Sequence, residues 1–270
     1  NLLEECLESI YQNTHGISYE IIVVDNNSRD SSPEMIGIKF PNIKLIKNEI
    51  NVGFGKAGNQ GISISEGEYI LLLNSDTLVL DSALDKMVEF MEIYNKTGIA
   101  GCRLYWDKKK TLQRTCSAFP TLKTAIFEYT ILKKFFPNNN ILKKHWIKEW
   151  RRDSIREVDT VSGACMIIRR KLLDEVGLLD EKFFMYFEEV DLCYRAKQKG
   201  WKVYFTPMAE IIHYSGQSSK FNIVTSRIFL ESMLYFYKKH YGLIAYFMLK
   251  GILLINNVFV RVGAKIFKRV

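Results

Sequence analysis

Two hundred and seventy residues carry 47% hydrophobic and 25% charged side chains, ordinary values for a globular chain long enough to bury a full core. Five scattered cysteines with no CxxC pair argue against a zinc site or a disulfide framework and fit a reducing, cytoplasmic setting. The net charge of +8 is uneven, with nine Lys/Arg against Glu231 alone over 220–270 and eight against Glu128 and Glu149 over 121–152, so the remainder is net acidic. A basic tail on an acidic body suits an anionic surface, membrane or nucleic acid.

The chain opens without an initiator Met, inside an amphipathic helix, NLLEECLESIYQ, with Leu3, Leu7 and Ile10 on one face. The expectation is that its true start lies upstream. EIIVVD (20–25) reads as a buried parallel strand that ends at Asp25 and enters the polar loop NNSRDSS. KLIKNEINVGFG (44–55) predicts a second strand and a Gly-rich turn, and KAGNQGISISEG (56–67) a helix carrying Asn59. EYILLLNSDT (68–77) is the clearest strand, broken at Asn74-Ser75-Asp76, and LDSALDKMVEFMEIYNKTG is an amphipathic helix with an Asp/Ser start and a Gly stop. Strands alternating with helices predict an open α/β sheet, whose ligands bind at the carboxyl ends of the strands, where Asp25 and Asp76 fall.

Residues 105–157 are basic and aromatic with weak periodicity, and are expected to form helices and loops over the sheet. DTVSGACMIIRR (159–170) restores a strand, and WKVYFTPMAEIIHY (201–214) predicts two short strands ending at His213. Between them stands FFMYFEEVDL, three carboxylates (Glu188, Glu189, Asp191) behind an apolar wall. By itself EEVDLCYRAKQKG is a helix with acids in its first turn, bases near its end and Gly200 as its stop, the charge order the macrodipole favours. Beyond Lys220 the pattern is helical. LIAYFMLKGILLINNVFV (243–260) has one charge, Lys250, and is marginal for a span; an interfacial helix with basic flanks is the better reading.

NSD at the end of an apolar strand resembles the DxD-type signature of nucleotide-sugar glycosyltransferases, where a diphosphate leaving group needs a hard divalent cation held by one or two carboxylates. VVDNNSRDSS, NVGFGKAGNQGI, the GACMIIRR segment with EEVDL, and His213, 24 residues after Glu189, extend the likeness. In order and spacing these pieces resemble family 2 glycosyltransferases of the GT-A fold, in the bacterial branch that includes rhamnosyl- and galactofuranosyltransferases, over about residues 1–219. The resemblance implies a Rossmann-like mixed sheet flanked by helices, its first strand absent from this chain, with 220–270 as a membrane-associated helical tail. It implies donor contacts from Asp25, Asn27, Asn51, Gly53, Asn59, Asn74, Ser75 and Asp76, and acceptor contacts from Gly163 and Ala164. Asp76 and His213 would hold Mg2+ or Mn2+. Glu189 would be the general base of an inverting transfer, with Glu188 and Asp191 as substitutes, because the family usually has Asp at the Glu189 position. A dTDP- or UDP-sugar donor, a glycan or lipid-linked acceptor and the cytoplasmic face of the membrane follow, with no nucleic acid.

Two rivals remain from other classes. A basic membrane-associated scaffold or nucleic-acid-binding protein accounts for the charge but not for acids and His213 at strand ends. A nicotinamide oxidoreductase fits the α/β pattern, and the glycines at 53, 55 and 58 match GxGxxG, yet the match does not follow a first strand and so lacks the context a dinucleotide site needs.

Overall fold

The computed structural model describes residues 1–214 and 223–267. The boundary expected between residues 219 and 220, and Lys220, Lys268 and Arg269 of the basic tail, lie outside them. Helix α1 (Leu2–Asn13) is capped by Asn1, whose side chain accepts from the Leu3 N–H, and buries Leu7 and Ile10 as its periodicity predicts, with Cys6 beside them and Leu3 half-buried. Strand β1 (Ile22–Asp25), helix α2 (Ser32–Lys39) and strand β2 (Lys44–Lys47) follow, with β1 and β2 paired in parallel. Next come α3 (Phe54–Ile64), β3 (Tyr69–Leu73), β4 (Thr77–Val79) and α4 (Ala83–Ile93); α3, β3 and α4 follow the predicted order, and β4 is a further short strand between β3 and α4. Helix α4 stops at Tyr94, well before Gly98, because β5 (Thr97–Tyr105) begins there. Every residue of β5 except Arg103 is buried, so this central strand lacks the alternation that marks a half-buried one.

The lobe over the sheet contains β6 (Cys116–Ser117), α5 (Leu122–Tyr129), α6 (Leu132–Phe135), α7 (Asn140–His145), β7 (Arg156–Glu157) and β8 (Thr160–Val161). The strand expected over 159–170 divides into β8, a turn at 162–164, and β9 (Cys165–Arg169). Helices α8 (Arg170–Val176) and α9 (Glu188–Gln198), strand β10 (Lys202–His213) and helix α10 (Ile223–Phe267) complete the chain. The two strands expected in 201–214 are one strand of 12 residues, with a register break between Thr206 and Glu210. Pro207 sits in that break, which absorbs its missing N–H.

The main sheet runs β3-β9-β5-β10-β4, with β7 beside β10. Only β5 and β10 pair in parallel along this path, so the sheet is mixed. One face packs against α1 and α4 through Cys6, Ile10, Met87 and Phe90. The other packs against α8 and α9 through Leu172, Leu192 and Cys193.

Helix α10 bends at Gly242, where φ is 86° and ψ is 178°. Its first arm, expected to be part of an appended tail, is packed into the body: Met233, Phe236 and Tyr237 join Phe183, Phe187 and Ala125 in one buried cluster. Phe236 meets Phe187, Tyr194 and His240 at ring distances of 5.5, 6.1 and 4.8 Å. Truncating a fully buried Phe costs about 3–5 kcal/mol. Phe236→Ala should therefore lower the urea midpoint of the whole domain in one cooperative transition. A cost below about 1 kcal/mol would show that the first arm is not part of the cooperative unit.

Candidate active site

Asp25 ends β1, and its carboxylate accepts from the Ser28 N–H at 3.3 Å. The next residue does the joining: Asn26 accepts from Asn48 and from the Val52 N–H, both at 3.1 Å, and donates to the Gly53 carbonyl at 3.2 Å. Asn27, one of the expected donor contacts, is exposed with φ 68°. Asn51 accepts from the Gly53 N–H at 2.9 Å. Gly53 has φ +88°, and a Cβ there would collide with the Phe184 carbonyl oxygen, which also accepts from the Phe54 N–H at 2.7 Å. Glycine is required on both counts. Asn59 is buried, donates to the Leu179 carbonyl (2.9 Å) and Glu181 (3.1 Å), and accepts from the Leu179 N–H (3.1 Å). Its amide ties α3 to the 179–181 loop, which places any effect on a ligand one step away.

Pairing of Leu73 with Cys165 and a bond from the Asn74 N–H to the Ala164 carbonyl (3.0 Å) set the NSD turn against the 162–164 turn. On its other side Thr77 pairs with His213, and the Tyr214 N–H donates to the Asp76 carbonyl at 2.9 Å. Asp76 and His213, 137 positions apart in sequence, thus come together, with His213 Nε2 3.4 Å from Asp76 Oδ1. That oxygen is buried without a hydrogen-bond partner among the described residues, a costly state unless something else satisfies it. Asn74 Nδ2 lies 3.3 Å from the same His213 nitrogen, while Ser75 is exposed. Gln113, which no motif indicated, holds His213 from behind: its Oε1 is 3.0 Å from Nδ1 and its Nε2 donates to the His213 carbonyl at 2.6 Å. An Nδ1–H donated to Gln113 leaves the Nε2 lone pair facing Asp76, the arrangement of a metal-ligating histidine.

The donor set fits a hard divalent cation held by few protein groups. Among the described residues no group of three His, Cys, Asp or Glu is placed to hold a metal ion. Asp76 and His213 would leave the remaining positions to phosphate oxygens and water.

The three carboxylates at the start of α9 face three ways. Glu188 Cβ lies 3.8 Å from where a Cβ on Gly55 would stand, against α3. Glu189 Cβ lies 3.7 Å from the equivalent point on Gly163, against the 162–164 turn. Asp191 is fully buried and bonds to Arg195 Nε (2.8 Å), Lys239 Nζ (2.6 Å) and His240 Nε2 (2.7 Å). Burial alone would raise its pKa, but donors from His240, Lys239 and Arg195 outweigh it and hold the carboxyl at about 2. Among the described residues Glu188 and Glu189 have no such partners. Burial, joined at Glu188 by the neighbouring Glu189 charge, pushes both above the usual range, and one oxygen of each is buried without a hydrogen bond among the described residues.

The approach to α9 is strained. Tyr186 and Phe187 have φ 71° and 70°, a conformation costing about 1–3 kcal/mol per residue. The first arm of α10 holds the segment down: Ser232 donates to the Met185 carbonyl (2.8 Å), and Tyr235 (2.9 Å) and Lys239 (2.7 Å) reach Asp180. Acids beside the apolar wall were legible in sequence; their division into one ion-paired anchor and two unpartnered groups was not.

A family model described as "Glycosyl transferase family 2" matches residues 1–177. The chain is 26% identical over 214 residues to the N-acetylglucosaminyl-diphospho-decaprenol L-rhamnosyltransferase of Mycobacterium tuberculosis, covering 74% of this chain and 67% of that protein. It is 26% identical over 229 residues to rhamnosyltransferase WbbL of Escherichia coli, covering 81% and 80%. With an uncharacterized glycosyltransferase of Methanocaldococcus jannaschii it shares 37% identity over 183 residues, 67% of this chain and only 54% of the relative. Among solved structures it resembles GalNAc-T7 with UDP, GalNAc and Mn2+ (TM-score 0.57, 16% identity, 78% of this chain and 41% of that one) and Staphylococcus aureus TarS 1–349 (TM-score 0.52, 15% identity, 88% and 68%).

The acids make opposite contributions to stability. A carboxyl with a depressed folded pKa stabilises above its unfolded value and loses that contribution as pH falls through the folded one. For Asp191, from 3.8 to about 2, this amounts to about 2 kcal/mol. The melting deficit of Asp191→Asn should therefore be full above pH 5 and shrink between about 4 and 2. A raised carboxyl does the reverse, so Glu188→Gln should leave the melting temperature unchanged near pH 4 and raise it at pH 8. A pH-independent difference for both variants would show that burial does not set these ionisations.

Proposed function

The chain belongs to glycosyl transferase family 2, and on that premise we propose an inverting transfer of a sugar, rhamnose or similar, in cell-surface polysaccharide synthesis. The donor is a dTDP- or UDP-sugar and the acceptor a hydroxyl of a glycan or lipid-linked saccharide. The observation that carries the reading is Glu189: a buried carboxylate oxygen without a hydrogen-bond partner among the described residues, at a helix start, beside Gly163. Glu189 takes the proton of the acceptor hydroxyl as that oxygen attacks the anomeric carbon, and its raised pKa suits a base working near neutrality. Glu188, turned toward α3, and Asp191, held ionised by Arg195, Lys239 and a hydrogen bond from His240, fit that role less well.

Donor binding falls to the opposite wall. Asp25 meets the base or ribose, with Asn27 and Asn51 beside it, and Asn74, Ser75 and Asp76 face the diphosphate. Gly53 and Asn59 shape this wall by letting α3 and the 179–184 loop approach closely. A divalent ion on Asp76 and His213 would offset charge on the departing diphosphate. Gly163 and Ala164 border the acceptor.

Membrane contact at the cytoplasmic face is the second part of the proposal. Among the described residues no helix is long and apolar enough to cross a membrane. The second arm of α10 instead exposes Ile244 (78%), Phe247 (63%) and Ile255 (58%), the mark of an interfacial helix. In vesicle flotation the full chain should rise with anionic vesicles and be released by salt, since each nearby Lys or Arg contributes about 1 kcal/mol and is screened. Retention in the soluble fraction at low salt would reassign this arm to a protein partner.

The chemistry is tested by screening nucleotide sugars with Mg2+ or Mn2+. Glu189→Gln should bind donor normally and lose about 10²–10⁴-fold in transfer rate, with partial activity in Glu189→Asp. Asp76→Ala should lose donor binding, and excess EDTA should silence the wild type. Normal transfer by Glu189→Gln with a dead Glu188→Gln would move the base one residue back.

A further inference from the structure

Past the carboxyl end of β5, the lobe encloses a cleft of about 430 Å³ outside the site described above. Two indoles line it. Trp106 is 47% exposed, and Trp146 is pinned by its Nε1–H to Glu128 Oε2 at 3.4 Å. The other Glu128 oxygen is taken by Lys133 at 2.5 Å, so the one acid of the lining is already neutralised. Two further cations remain: Lys148, whose ammonium reaches the Pro137 carbonyl at 3.3 Å, and Arg114, which is exposed and has no ion pair or hydrogen bond among the described residues.

The cleft is coupled by position to the catalytic edge. In an extended segment successive side chains point to opposite sides. Gln113 reaches His213, and Arg114, the next residue, lines the cleft. At its far rim, α6 supplies Lys133 and is followed by Pro137, with Phe135 (65%) and Phe136 (55%) exposed between them. The Ile131 N–H at the start of α6 donates to Asn256 of the second α10 arm at 2.8 Å. The order is therefore catalytic edge, then aromatic and cationic cleft, then apolar surface.

We infer that this cleft is the acceptor subsite for a phosphorylated saccharide, a sugar joined to phosphate or diphosphate, an assignment that rests on the transferase reading above. The size suits one hexose with its phosphate, since small-ligand sites run from about 300 to 1,000 Å³. Indole faces take the apolar face of a pyranose, and a guanidinium free of protein acceptors matches the paired oxygens of a phosphate. The same head arises either as a free sugar phosphate or as the end of a lipid-linked acceptor. In the latter the phosphate lies between sugar and tail, matching the order of edge, cleft and apolar rim.

Isothermal titration of the full chain with N-acetylglucosamine 1-phosphate and with farnesyl-diphospho-N-acetylglucosamine below its micelle concentration tests this. At least one probe should bind, and Arg114→Met and Trp106→Ala, both at exposed positions, should each weaken it tenfold or more without changing the melting temperature. Asp76→Ala should leave this binding intact, separating the cleft from the donor wall. Equal binding of both probes would identify the sugar phosphate as the recognised unit, and binding of the prenyl probe alone a lipid-linked source. Absence of binding by either, unchanged affinity in both cleft variants, or loss in Asp76→Ala would overturn the assignment. A wild type that binds these probes but transfers no sugar would fail the function proposed above and leave the cleft standing.

Discussion

An ionised carboxylate with no exposure to water, Asp191, anchors α9 and the segment that leads into it. Burying a charge is tolerable only when it is paired and hydrogen-bonded, and Arg195, Lys239 and His240 supply that pairing at 2.6–2.8 Å. Two of these donors come from α10 and one from α9, so the charge cluster fixes one helix upon the other. The same arm of α10 holds Asp180 and Met185. The strained backbone at Tyr186 and Phe187 thus persists because both of its flanks are held, the condition under which such conformations survive.

From that anchor follows the contrast among three acids within four positions. Asp191 is stabilised in its charged form by cations. Glu188 and Glu189, three and two residues earlier, lie beside Gly55 and Gly163, and burial raises their pKa values. Backbone N–H groups at the helix start oppose the rise at Glu189 without cancelling it. A helix-start acid placed there only for the macrodipole would be exposed and readily ionised. These two are neither, which is the physical ground for treating them as chemical groups.

The mixed sheet provides the other half of the geometry. Antiparallel pairing of β10 with β4 brings His213 beside the turn that carries Asp76, and pairing of β3 with β9 sets that turn against Gly163 and Ala164. A polar edge on each side of one short turn results. Glycines 53 and 55 then let α3 approach the loop before α9, because any side chain at 53 would strike the Phe184 carbonyl.

By itself the sequence determined the class of fold, the positions of Asp25 and Asp76 at strand ends and the acids behind an apolar wall, since strand termini and helix starts are written in local runs of residue type. It also carried the family, which a family model matching residues 1–177 shows. The central strand β5 escaped notice because burial on both faces removes alternation. Tertiary structure alone decided that Asn59 would clasp a loop, that Gln113 would orient His213, and that Asp191 rather than its neighbours would be ion-paired. It also decided that the first arm of α10 would be core. Those outcomes depend on partners up to 120 residues away, and a side chain's ionisation and hydrogen bonds follow from what packs against it, which no local pattern records.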